Sequence, residues 1–188
     1  MSIDRTKYLN SKEVGRLREV TKARTTKTGV LAWMLVDFAL LTGLRVSEIA
    51  SVKIEDIDFD RSLIHIHRLK KRNGDGDDIL AISVEFAAHL RSFIGSRDSG
   101  SLFIGERGPL TAQGLQRIWY KSVRLAGLPK ELSIHSARHT IAVHLLKKTG
   151  NLRQVQKQLG HASPATTANM YADVSFEDMQ DGLNGLYQ

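Results

Sequence analysis

Arg45, His135, Arg138, His161 and Tyr171 stand in short phrases whose residue types suit attack on a phosphodiester: Thr42-Gly43-Leu44-Arg45-Val46-Ser47-Glu48-Ile49, Ile134-His135-Ser136-Ala137-Arg138-His139-Thr140, Leu159-Gly160-His161 and Thr166-Thr167-Ala168-Asn169-Met170-Tyr171. Such attack builds charge on the non-bridging oxygens, takes a proton from the nucleophile and returns one to the leaving oxygen. Arginine answers the first need, because its guanidinium fork stays protonated and matches phosphate oxygens. Tyrosine supplies a nucleophile, and with a free pKa near ~10 it needs a base or cationic surroundings at neutral pH. His135 precedes Arg138 by one helical turn, so both reach the same face. Lys70 and Lys71, in Arg68-Leu69-Lys70-Lys71-Arg72, are cations placed to protonate a leaving oxygen. Each residue also has an ordinary explanation: Arg45 as ion-pair partner of Glu48, His135 as a helix-start residue, His161 as a turn histidine, Tyr171 half-buried, the lysines solvated. The ordered set Arg, Lys, His-x-x-Arg, His, Tyr is what those explanations leave unaccounted for.

These side chains need mounts. Asn10 or Ser11 caps a helix running to about Lys22, with Glu13 in its first turn and Val14, Leu17 and Val20 on its apolar side. Thr25-Thr26-Lys27-Thr28-Gly29 reads as a polar break. Val30–Leu41 is apolar on most faces and predicts a buried helix ended by Gly43, with Arg45 projecting from its end. Ser47–Val52 continues as a short helical segment. Leu63–His67 alternates in strand fashion and pairs with Ile79–Ile82 across Asn73-Gly74-Asp75-Gly76, giving a hairpin with a basic tip. Helical patterns return at about Ser83–Ile94, Thr111–Ala126, Ser136–Thr149 and Asn151–Leu159, and Phe176, Met179, Leu183 and Leu186 recur at helical spacing in the tail. The expected fold is mainly α with one small antiparallel sheet, an α+β domain.

The 188 residues suit a single domain with a real core. Without cysteine the chain forms no disulfide and no thiolate metal site. A formal net charge of +7 favours a polyanionic partner. His135 and His139 have the i, i+4 spacing of a metal pair but lack an accompanying HExxH glutamate. Asn73–Asp78 lacks the closing glutamate of a calcium loop, and no Walker-type loop is present. No metal, cofactor or ATP is expected. The start carries no secretory signal and Val30–Leu44 is too short to span a bilayer, so a cytoplasmic protein is expected.

Together these phrases resemble the tyrosine recombinases of the phage-integrase family, from about Leu9 to Tyr171. The resemblance implies a tyrosine recombinase catalytic-domain fold with Arg45, Lys71, His135, Arg138, His161 and Tyr171 as catalytic residues, Lys70 as the alternative hairpin lysine and Glu48 as supporting acid. Tyr171 would form a 3′-phosphotyrosyl bond and release a 5′ hydroxyl, with His135 the base candidate and His161 a hydrogen-bond donor to the phosphate. Double-stranded DNA is the implied partner, bound by a homo-oligomer, a tetramer on DNA. Typical members carry a separate N-terminal DNA-clamping domain that is not evident here, so residues 1–188 read as one catalytic domain, either excised or naturally short. Ile64-His65-Ile66-His67-Arg68-Leu69-Lys70-Lys71 is similar to short fimbrial phase-switch recombinases and favours the natural short form. The tail, about residues 174–188, docks either on its own domain or in a neighbouring protomer. A type IB topoisomerase and a non-catalytic DNA-binding accessory protein are the rival readings.

Overall fold

The computed structural model describes residues 8–68 and 76–159. The first helix, α1 (Ser11–Lys22), begins on Asn10, whose side chain accepts from the Glu13 amide while Glu13 reaches back to the Asn10 amide, at 2.9 and 2.8 Å. This reciprocal cap satisfies two donors that every helix start leaves open. Leu17 is fully buried against the body of the molecule, as its apolar spacing predicts.

The second helix, α2 (Lys27–Thr42), starts three residues earlier than the polar composition predicts. Thr26 caps it by accepting from the Gly29 amide at 3.2 Å. Gly29 belongs inside the first turn because a Cβ there would lie 2.5 Å from the Arg24 carbonyl oxygen. The polar run is therefore a capped helix start packed against the preceding loop. Beyond it, Met34 to Leu40 are all buried, so α2 runs through the centre of the domain. A buried acid, Asp37, interrupts this apolar run and is 1% exposed. Arg18 of α1 clasps it with two hydrogen bonds, Nε at 2.6 Å and Nη2 at 3.2 Å. Its hydrogen bond to Asp37 is the main reason that Arg18 holds its proton more firmly than usual.

After α2 come α3 (Val46–Ser51), a 3-10 turn at Ile54–Asp56 and a three-stranded antiparallel sheet in the order β1 (Ile57–Asp58), β2 (Leu63–Arg68), β3 (Gly76–Ala81). The β2–β3 register pairs Leu63 with Ala81 and His65 with Ile79. It buries Ile64, Ile66 and Leu80 on one face and leaves Ile79 exposed on the other. Helix α4 (Val84–Ile94), a two-residue hairpin β4 (Ile104–Gly105) and β5 (Gly108–Pro109), and helices α5 (Ala112–Leu125), α6 (Ile134–Thr149) and α7 (Leu152–Leu159) complete the described chain. The result is the mainly helical α+β domain expected from the pattern. Strand β1 and the β4–β5 hairpin are additions that the sequence did not signal.

The apolar interior is divided. One large core joins α1 to α5, the sheet and the start of α6, with Phe38, Phe86 and Phe103 in ring contact at its centre. A separate small core consists of Ala142, Leu146, Val155 and Leu159, flanked by Ile141, Leu145 and Leu152. Helix α6 runs through both.

Candidate active site

Gly43 ends α2 in the left-handed conformation, φ 65°, with its amide donating to the Ala39 carbonyl. That reversal turns the chain directly into α3, for which Arg45 is the N-cap residue. Glu48 fixes Arg45 twice: its Oε2 accepts from the Arg45 amide at 2.7 Å and its Oε1 from Nη1 at 3.0 Å. The ion pair is asymmetric, with the Arg45 side chain 48% exposed and the Glu48 side chain 10%. The guanidinium is thus aimed outward while its anchor is largely shielded from water.

The helix bearing the second pair of candidates is held from below. Trp119 of α5 is fully buried and donates its indole N–H to the Leu132 carbonyl at 2.9 Å. Leu132 and Ile134 are buried, which sets the start of α6 and leaves His135 exposed in its first turn. Thr140 ties the middle of α6 to the chain start, donating to the Ser136 carbonyl and accepting from the Leu9 amide.

Arg138 is 8% exposed and sits one turn below His135. Its Nη1 donates to the Gly43 carbonyl at 2.7 Å and its Nη2 to the Leu159 carbonyl at 2.8 Å. One guanidinium thereby joins the end of α2, two residues before Arg45, to the end of α7, two residues before His161 in the sequence. Charged donors to carbonyls in a shielded setting make strong, directional bonds. The structure pairs Arg45 with Glu48 and bonds Arg138 to the Gly43 carbonyl, two residues before Arg45, with His135 on the same helix as Arg138. Lys70, Lys71, His161 and Tyr171, and the tail about 174–188, lie outside the described residues.

Sequence reasoning missed the supports: the Gly43 and Leu159 carbonyls, Trp119 and Thr140. A tryptophan inside the otherwise basic helix α5 was the only available signal for Trp119. Backbone carbonyls have no sequence signature.

The fold and this arrangement define a recombinase-type catalytic domain, and the chain belongs to the phage integrase family, whose pattern it matches over residues 7–178. Among curated relatives, it is 31% identical over 189 residues to the tyrosine recombinase XerC of Corynebacterium glutamicum, covering 96% of this chain and 59% of the relative. It is also 31% identical over 182 residues to XerC of Bacillus subtilis, covering 93% of this chain and 59% of that relative. The chain thus spans less than two thirds of the curated relatives it matches. In structure it resembles the XerA recombinase, with a TM-score of 0.80 and 28% identity over 96% of this chain and 64% of that one. It also resembles the XerH site-specific recombinase bound to its difH substrate in a pre-cleavage complex, with a TM-score of 0.71 and 25% identity over 88% of this chain and 50% of that one. Among the described residues, no helix is long and apolar enough to cross a membrane.

Proposed function

We propose that this chain is the catalytic part of a site-specific DNA recombinase that cleaves and rejoins double-stranded DNA through a 3′-phosphotyrosyl intermediate, without metal or ATP. The observation that carries the reading is the Arg138 bond to the Gly43 carbonyl, which holds a second arginine beside the turn presenting Arg45. Two guanidinium groups on rigid mounts suit the charge that develops on a five-coordinate phosphorus. Family membership and the names of the relatives support the same assignment.

In this mechanism the Tyr171 phenol oxygen bonds to phosphorus as the bond to the 5′ oxygen breaks. His135 takes the phenol proton, and Lys71, or Lys70 in its place, gives one to the departing 5′ oxygen. Arg45, Arg138 and His161 hold the phosphate, and Glu48 holds Arg45. The bond energy stays in the phosphotyrosine, so a second 5′ hydroxyl reverses the step on a new strand with no external energy source. Residues 1–188 act as one catalytic domain in the cytoplasm. The protein assembles as a tetramer on DNA, with Phe176, Met179, Leu183 and Leu186 of the tail packing into a neighbouring protomer.

Incubating the protein in EDTA with supercoiled and nicked DNA from its genomic neighbourhood tests the chemistry. The expected result is a denaturant-resistant protein–DNA adduct, absent in Tyr171→Phe and slowed about 10²–10³-fold in Arg45→Ala or Arg138→Ala. DNA binding without any adduct would transfer the assignment to a non-catalytic accessory protein. Relaxation of plasmids regardless of sequence would transfer it to a type IB topoisomerase.

A further inference from the structure

Gly43 does more than end a helix. An ideal Cβ built there would lie 2.6 Å from Ile141 Cγ2 and 2.6 Å from Leu159 Cδ2. Both neighbours belong to the small core formed by α6 and α7. No real Cβ tolerates such distances, so those side chains close directly onto the bare α-carbon. The Gly43 carbonyl, on the same residue, accepts from Arg138, whose other nitrogen holds the Leu159 carbonyl. Side-chain contact and the shared guanidinium therefore fix the same joint from two directions, and the joint lies two residues from Arg45. Leu159 is the last residue of α7, and in sequence it stands two residues before His161.

We infer that Gly43 is a positioning residue: it is the seat into which Leu159 and Ile141 close, and it sets the point from which the chain departs toward His161 and Tyr171 relative to Arg45. This rests on the reading that His161 and Tyr171 take part in cleavage. The seat is the contact between the body that carries Arg45 and the small core that carries α7. A shift at this contact misaligns reacting groups supplied from its two sides, and misplacement by about 1 Å is enough to slow a reaction some 10²-fold.

The molecule contains its own control. Gly150, between α6 and α7, has φ 63°, matching the 65° of Gly43, but nothing lies within 4 Å of its missing Cβ. Gly150→Ala imposes the left-handed strain alone, whereas Gly43→Ala adds the collision. Two readouts separate the cases: amide hydrogen exchange across residues 152–159, and the single-turnover rate of adduct formation on a nicked duplex from the genomic neighbourhood, measured beside the affinity for that duplex. For Gly43→Ala the seat predicts exchange in α7 faster by about tenfold or more and adduct formation slower by about tenfold or more, a loss of some 1.4 kcal/mol in each. The DNA affinity stays within about twofold, and α2 and α5 keep their protection. Gly150→Ala, which bears the strain without the collision, speeds α7 exchange by less than Gly43→Ala does and leaves the rate within about twofold. Should Gly43→Ala unfold the domain, Leu159→Ala withdraws the same contact without backbone strain and carries the same expected pattern. The proposal is overturned if exchange in α7 is unchanged, if rate and affinity fall together, or if Gly150→Ala matches Gly43→Ala. Failure of the unaltered protein to form any adduct sinks the recombinase reading instead, and the exchange pattern then decides the seat by itself.

Discussion

The two halves of α6 live in different surroundings. Its first turns place Ile134 and Ala137 in the large core, close to Trp119 and Leu132, and this half carries His135 and Arg138. Its later turns place Ala142 and Leu146 in the small core with Val155 and Leu159, and this half supports α7. Under the proposed function, charge stabilisation asks for groups fixed before the reaction begins, and the large core carries the chain on which Arg45 and Arg138 are mounted. The end of α7 rests on a few aliphatic side chains, a left-handed glycine, one guanidinium and the Gln158 amide, which donates to the Ala81 carbonyl at 3.4 Å. One helix thus joins a large core to a small one, and both arginines stand on chain anchored in the large one.

The contrast breaks most readily under truncation. Phe38→Ala, in the large core, is expected to cost about 3–5 kcal/mol in a denaturant titration. Val155→Ala removes two methyl groups from the small core and is expected to cost about 1–3 kcal/mol. Its effect should be confined to exchange in α6 and α7 while the global midpoint stays nearly in place. A Val155→Ala midpoint shift as large as that of Phe38→Ala would show one cooperative core.

An effect smaller than that of Phe38→Ala is expected at the ion pair between α1 and α2, where only Asp37 is buried. Arg18→Ala leaves Asp37 buried beside the His89 imidazole, whose Nδ1 lies 3.5 Å from Oδ2 and whose pKa is lowered by burial, so no full positive charge replaces the guanidinium at neutral pH. The expected loss is about 1–3 kcal/mol, kept to that range because the Arg18 side chain is 48% exposed to water. Thermal unfolding beside Arg18→Lys would check it; an unchanged midpoint in Arg18→Ala would mean that Asp37 needs no clasp.

The smallest effect compares a histidine from each region. His89, whose ring centroid lies 4.2 Å from that of Trp33 at a 40° tilt, is held below its ordinary pKa by burial and by Arg18 and Lys22, against the pull of Asp37. His144, on the second half of α6, is lowered by burial and by Lys147. A depressed histidine pKa means that the unfolded chain takes up the proton first. Stability therefore falls as pH drops below about 6.5, the unfolded value, and stops falling once the folded-state pKa is passed. His89→Gln should flatten this acid-side slope in the global midpoint, and His144→Gln should flatten it in local exchange near α6 and α7. Equal slopes in both variants and the parent protein would remove the histidines from the account.

Helix existence was readable wherever apolar residues recurred with helical period, as at Leu17 in α1 or along α2. A cap at Asn10 or Ser11 and the pairing of Leu63–His67 with the segment around Ile79 also followed from local chemistry; the register itself did not. Strand β1 and the β4–β5 hairpin are two residues long per strand, too short for any period to register. The start of α2 was misjudged because three threonines and a lysine look like a loop until the close approach of Gly29 to Arg24 is known. At the site, residue types and the family resemblance singled out Arg45, Glu48, His135 and Arg138, and the structure pairs Arg45 with Glu48 and sets His135 and Arg138 one turn apart on α6. What spacing could not convey is that Arg138 binds carbonyls 95 and 21 residues away in sequence. Such bonds depend on tertiary approach, and their acceptors are common to every residue.

The Leu9 amide donates to Thr140 Oγ1 at 2.8 Å, across 131 residues, and Leu9 is fully buried. Mechanically, this makes the segment at Leu9 a tether on α6. Tension applied upstream of Leu9, by a fused partner or by an optical trap gripping a handle there, would load α6 midway between His135 and α7, and the loop at Thr25 would not absorb it. Force spectroscopy through an upstream handle would therefore probe α6 first, whereas a handle attached in the β4–β5 hairpin would pull on the large core.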